Sequence, residues 1–234
     1  MIRLTALLFL TACQLWSPIV KAATNWTDAS LTYLNGNNYE LGDNQRQVLT
    51  LEYASGASWG DNFIFVDRLE SSDGNHATYV EANPRIRLFA FDSAVVKNLY
   101  FTPTGEFGDE TNWLYGLGTD LALPHFRYAK LSVYYIDNGN GATNEQATLA
   151  FAVPFLENFL YDGFVDIMSA YRRNDGLMSS GQFNATTQLK YNLDRHFNLS
   201  TRLYVGIEYV YWNNKFGVSG VNERNVNFLL KYHF

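Results

Sequence analysis

The sequence predicts an all-β protein, a transmembrane antiparallel up-and-down β-barrel of twelve strands. Three observations predict it. Apolar and polar residues alternate with a period of two, short and long connections alternate between the segments, and the composition is rich in rings and poor in charge. Strict alternation argues for strands with unlike faces. The 234 residues are 47% hydrophobic and 16% aromatic but only 17% charged, whereas soluble domains average about 25% charged. So many rings exclude intrinsic disorder. A net charge of −6 and a pI near 5.2 give no basic footprint for a nucleic acid polymer. Mean hydropathy is −0.18, and past residue 23 no stretch approaches the roughly 18 apolar residues of a spanning helix.

The chain opens with Met1-Ile2-Arg3, an apolar run from Leu4 to Ala12, and small residues around Val20-Lys21-Ala22. This reads as a secretory signal peptide over residues 1–22, cleaved after Ala22, with the barrel over 23–234. Losing Arg3 and Lys21 takes the net charge from −6 to −8. Cys13, the only cysteine, leaves with the leader, so the mature chain has no disulfide or thiol chemistry. Leu10-Thr11-Ala12-Cys13 resembles a lipoprotein processing box and is the alternative, with a very short segment before it.

Strands are expected at 26–34, 46–54, 59–69, 78–88, 95–104, 112–121, 127–137, 145–154, 159–170, 182–191, 197–212 and 224–234. In the third, Asp61, Phe63, Phe65 and Asp67 share one face and Ile64 and Val66 the other. The first face is assigned to the lumen, because an acid in lipid costs several kcal/mol. In the fourth, Tyr79, Glu81, Asn83, Arg85 and Arg87 oppose Val80, Ala82, Pro84, Ile86 and Leu88. Residues 183–191 set Phe183, Ala185, Leu189 and Tyr191 against Asn184, Thr186, Gln188 and Lys190. From 197 to 209, Phe197, Leu199, Leu203, Val205, Ile207 and Tyr209 alternate with Asn198, Ser200, Arg202, Tyr204, Gly206 and Glu208. The last strand sets Val226, Phe228, Leu230, Tyr232 and Phe234 against Asn227, Lys231 and His233, with Leu229 the exception.

Joints at 54–58, 89–94, 122–126, 155–158 and 192–196 read as short, and those between them as longer and rich in Gly, Asn, Asp and Ser. An even-stranded up-and-down barrel separates turns from loops in this way and leaves both termini at the turn end. A soluble β-sandwich would break the rule with Greek-key connections and use shorter strands. Strands of about ten residues suit a tilted bilayer crossing. Arg85, Arg87, Lys190 and Arg202 suit a watery lumen better than a sandwich core. Trp26, Trp59, Trp113, Tyr191, Tyr232 and Phe234 suit interfacial girdles.

The final Tyr232-His233-Phe234, with alternate apolar residues before it, resembles the assembly signal of bacterial outer-membrane barrels. Trp59-Gly60-Asp61 with Phe63, Phe65 and Asp67, then Gly163-Phe164-Val165-Asp166, then Gly206-Ile207-Glu208-Tyr209 running into Tyr211-Trp212-Asn213-Asn214-Lys215-Phe216-Gly217, resemble the Tsx-like nucleoside-specific channel-forming outer membrane proteins and their OmpK-like relatives. The resemblance implies a monomeric twelve-stranded barrel in the bacterial outer membrane that passes nucleosides or similar small solutes passively. It also implies recognition by the barrel-assembly machinery through Tyr232 and Phe234, and phage as partners of the outer loops.

The lumen candidates follow from parity. They are Phe63, Phe65 and Asp67; Tyr79, Glu81, Asn83, Arg85 and Arg87; Tyr100, Asp120 and Tyr134; Asp162, Phe164 and Asp166; Gln188 and Lys190; and Arg202, Tyr204, Glu208 and Trp212. Rings there can stack a base, worth about 1–3 kcal/mol. The charged members have a plainer role open to them, pairing across the lumen to hold the barrel round, and the tyrosines can simply pack. No cofactor or metal site is expected. Of His76, His125, His196 and His233, none shares a strand face with a Ser or Asp two residues away, so hydrolase chemistry is a minor alternative. A structural or receptor barrel with a blocked lumen is the other alternative, and an inward fold of the loop 213–223 would favour it.

Overall fold

The computed structural model describes residues 24–234; the expected signal peptide, its cleavage site and Cys13 lie outside the described residues. In chain order the strands are β1 (Thr24–Gly36), β2 (Arg46–Ala57), β3 (Gly60–Ser71), β4 (His76–Ala90), β5 (Val96–Phe107), β6 (Thr111–Leu121), β7 (Tyr128–Asp137), β8 (Thr143–Phe155) and β9 (Phe159–Met168). There follow β10 (Tyr171–Arg172), β11 (Met178–Ser179), β12 (Gln182–Asn192), β13 (Leu203–Asn213) and β14 (Glu223–His233). Twelve of these form one closed antiparallel barrel in which β9 pairs with β12 and β1 pairs with β14. The strands β10 and β11 make a separate two-stranded ribbon in the loop after β9. At the seam Leu31 stands opposite Tyr232 and Tyr33 opposite Leu230. Closure removes the unpaired edge, which is the condition for placing a sheet in hydrocarbon.

The two faces differ as alternation requires. Leu49, Leu51 and Tyr53 of β2 are exposed on the outside, as are Leu117, Val133, Ile207, Phe228 and Leu230. Thr50 and Glu52 point the other way. The inside is identified by contacts between strands that are not neighbours: Lys130 on β7 meets Asp61 on β3, and Asn83 on β4 meets Tyr134 on β7. Only the interior of a closed sheet brings such strands together. A belt of uncovered Leu, Val, Ile and Phe all round a barrel is the surface of a protein solvated by lipid. Leu229, the exception in the last strand, points inward and is fully buried with Leu34, Tyr39 and Val48.

Three features depart from the sequence-based expectations. The strand expected at 197–212 begins only at Leu203; residues 194–197 form a helical turn, α1 (Asp194–Phe197), which ends on Asn198 in the left-handed region. Asp194 and its neighbours satisfy their backbone locally, through bonds from His196 and Phe197 to the Leu193 carbonyl. The alternation seen in 197–202 is therefore carried by a turn, and Arg202 precedes the strand. Second, the contrast of short and long connections is blurred. Strands extend into the expected loops, so 72–75 and 108–110 are as short as many turns, whereas 193–202 is long. Third, Trp26 has the inward parity of Asp28 and lies on Gly56, where a Cβ would meet its indole at 2.2 Å, so it does not face lipid. Both described termini do lie at the turn end.

Two glycines of the sequence motifs have backbone duties. Gly60 and Gly163 sit at φ 149° and 152°, and a Cβ would come within 1.9 Å of the Arg85 carbonyl oxygen and 2.2 Å of that of Thr186. Both permit close strand approach.

Candidate functional site in the barrel lumen

Strand register places the candidates on the inner wall. Phe63, Phe65 and Asp67 face inward on β3, confirmed by the 2.5 Å bond from the Thr50 hydroxyl to Asp67. Tyr79, Glu81, Asn83 and Arg85 continue the same face on β4. Tyr100, Asp120 and Tyr134 meet this group from β5, β6 and β7. Asp162, Phe164 and Asp166 share the inner face of β9 with Asn184, Gln188 and Lys190 of β12. Tyr204, Glu208 and Trp212 complete it on β13. Two candidates lie at the turn-end rim instead. Arg87 is exposed and donates to the Ser58 carbonyl at 2.8 Å, just before a bulge. Arg202, displaced from its strand by the turn around α1, donates to both oxygens of Asp28 at 2.8 Å, beside His233.

Charges inside the barrel are sorted by height. Toward the turn end stand Arg85, Lys130, Lys190 and Lys231, each with an acid. Arg85 lies 2.5 Å from Asp120 and 3.7 Å from Asp61, and its guanidinium sits 4.0 Å from the centre of the Tyr100 ring. Lys130 is 3.0 Å from Asp61, Lys190 is 2.7 Å from Asp162, and Lys231 pairs with Glu52. Toward the loop end stand Asp67, Glu81, Glu106, Asp166 and Glu208, which accept hydrogen bonds from neutral groups where they have partners: Thr50, Asn112, Thr148, Gln188 and Asn227. The plainer role, charge neutralisation across the lumen, thus accounts for Arg85, Lys190 and Asp162, and not for Glu81 or Asp166.

The rings divide as well. Tyr100, Tyr134 and Tyr204 are buried and pack or hydrogen bond. Phe63, Phe65 and Tyr79 form a continuous ladder, with centroids 5.8 and 5.7 Å apart. Phe63 is 36% exposed although it faces inward, so this wall of the lumen is open to solvent.

Loops narrow the loop end. Tyr39, from the connection 37–45, is buried against Leu34, Val48 and Leu229. Burial, helped by Glu208 and Glu223, raises its hydroxyl pKa above the usual range. Lys215, in the β13–β14 connection, is buried between the Tyr39 and Trp212 rings and pairs with Glu223. Burial lowers its pKa, and Glu223 opposes that. The inward fold of loop 213–223 that the blocked-lumen alternative invoked is present at Lys215, together with an unexpected partner from the first loop.

Sequence reasoning passed over Glu52, Glu106, Lys130 and Lys231 as sites. Parity with Thr50, Thr104, Tyr134 and Asn227 is the signal that identifies them. Nothing in the pattern of residues 37–45 pointed to Tyr39.

No family model matches the chain, and no curated protein matches it. Among solved structures, the NanC porin superposes with a TM-score of 0.56 at 10% identity, covering 88% of this chain and 99% of that one. The KdgM porin matches at 0.51, and the KdgM porin in complex with disordered oligogalacturonate at 0.50, with the same identity and coverage. At this identity the likeness shows the fold, that of an outer membrane porin barrel.

Proposed function

We propose that the protein is a narrow outer membrane channel for passive uptake of nucleosides or similar small solutes, exported through a signal peptide cleaved after Ala22 and acting as a monomer. The observation that carries this reading is the Phe63–Phe65–Tyr79 ladder on a solvent-open stretch of the inner wall. An apolar ring face turned toward water inside a membrane barrel gives a base or sugar a surface to stack on. The polar groups beside it can hydrogen bond the rest of the solute, and modest sites in series favour release. Twelve strands give a lumen wider than the filled eight-stranded barrels and narrower than the sixteen-stranded porins. The sequence resemblance to Tsx-like channels points the same way, since its first motif contains Phe63, Phe65 and Asp67. Tyr232 and Phe234, alternating outward at the seam, are the proposed contact with the assembly machinery.

The second reading, a receptor barrel with a blocked lumen whose loops bind phage, draws on the plug of Tyr39, Leu34, Val48 and Leu229. Planar-bilayer recording separates the two. Refolded protein should give discrete conductance that adenosine or uridine reduces, and Phe63→Ala with Phe65→Ala should remove the reduction while leaving the conductance. Absence of conductance would favour the blocked barrel.

A further inference from the structure

We infer that the loop-end half of the lumen recognises a positively charged organic group, an ammonium or guanidinium on the solute, through Glu81, Glu106 and Asp166. The inference rests on the channel reading above and adds the charge of its solute. Glu81 on β4 and Glu106 on β5 are direct cross-strand partners on the inner face. Side chains so placed lie about 5 Å apart, and like charges there repel. Asp166, on β9, stands on the inner face in the same loop-end half of the lumen and accepts from the Thr148 hydroxyl at 2.6 Å. The bases of the lumen are committed elsewhere: Arg85 to Asp61 and Asp120, Lys130 to Asp61, Lys190 to Asp162 and Lys231 to Glu52. Three carboxyl groups in the same half of the lumen with no base among them keep their charge at low cost only beside a visiting cation.

A second observation is independent of charge. Thr104, two residues before Glu106 on the same inner face, is 2% exposed, and its hydroxyl has no hydrogen-bond partner. Buried hydroxyls are nearly always satisfied, so an orphan beside the acids marks an unfilled polar position. Phe65 and Tyr79 add ring faces next to Glu81, and ring faces attract organic cations. Among the described residues no group of His, Cys, Asp or Glu is arranged to ligate a metal ion. Spaced carboxylates, a hydroxyl and rings suit N–H donors on a larger cation.

The test uses one ring with three charges: phenethylamine, phenethyl alcohol and phenylacetate, added to the loop-end side of a planar bilayer holding the refolded channel, with adenosine measured in parallel. Phenethylamine should reduce the current at about tenfold lower concentration than the alcohol, a difference of about 1.4 kcal/mol, and phenylacetate should be weakest. In Glu81→Gln with Glu106→Gln the advantage should vanish, so that amine and alcohol reduce the current at equal concentration. Asp166→Asn, which leaves the cross-strand pair intact, should reduce it in part and guards against misfolding of the double variant. If adenosine reduces the current but amine and alcohol act equally on the wild type, the inference falls and the channel reading stands. If the protein conducts nothing, both fall.

Discussion

Lys231 on β14 and Glu52 on β2 form an ion pair across the strand that separates them, β1. The Ser30 hydroxyl, on β1 itself, donates to the same carboxylate at 2.6 Å. Three strands at the closing seam are therefore tied from inside the lumen, in addition to their backbone ladders. Removing one partner of a buried pair leaves the other charge uncompensated, at about 3–5 kcal/mol. Lys231→Met should lower the temperature at which the barrel loses its heat-resistant compact form on gels, and Lys231→Met with Glu52→Gln should restore much of the loss. Equal mobility transitions for wild type and Lys231→Met would show that the pair adds nothing.

Arg85 pairs with Asp120 and Asp61 near the turn end, and Arg87 stands beyond it at the rim. Replacing both with Ala should leave the backbone ladder closed and shift the reversal potential in a salt gradient toward cations. Unchanged selectivity would place these side chains off the ion path.

Lys215 holds the last loop against Tyr39 and Glu223. Lys215→Ala should free both loops from the lumen mouth, raising single-channel conductance and current noise. A conductance equal to that of the wild type would mean that the first loop is held without Lys215, by the Asn38 bonds to Asn225 and Arg224 and the Glu40 amide bond to Glu223.

Asp43, in the first loop, accepts from the Ser72 hydroxyl at 2.6 Å and from the Asp73 backbone at 2.9 Å, joining that loop to its neighbour. These bonds, that of Ser72 foremost and then the Gln45 amide, lower its pKa from 3.8 to about 2. A lowered acid contributes fully above its unfolded value and loses the contribution as pH falls through the folded one. The tie between the loops should hold above pH 3.8 and fail as pH falls through about 2. Titration of the Asp43 carboxyl carbon by NMR checks it, and Ser72→Ala should move the midpoint upward.

How far the molecule was legible depended on periodicity. Parity alone put Phe63, Phe65, Tyr79, Glu81 and Asp166 on the correct wall, because a period of two admits one alternative and acids cannot face lipid. It misled at 197–202, where a turn happens to alternate; Trp26 was placed in a girdle by its position near a strand end, against its inward parity with Asp28. Glu106 was lost to a strand end placed at 104. Tyr39 and Lys215 were beyond reach, since the inward fold of a loop is set by contacts with strands distant in sequence. The division of the lumen into a paired basic half and an unpaired acidic half needed the register, because it depends on which residues stand at the same height.

Cysteine scanning tests most directly whether the Phe63–Phe65–Tyr79 wall borders the solute path. The only cysteine of the sequence, Cys13, precedes the described residues, so in protein produced from Ala23 onward a single introduced thiol can be read cleanly. A water-soluble thiosulfonate reagent added to an open Phe63→Cys channel should cut the current in one step and abolish the nucleoside effect, while Phe101→Cys, facing lipid on β5, should not respond. A Phe63→Cys channel that keeps its full current after exposure to the reagent would contradict a solute path along this wall.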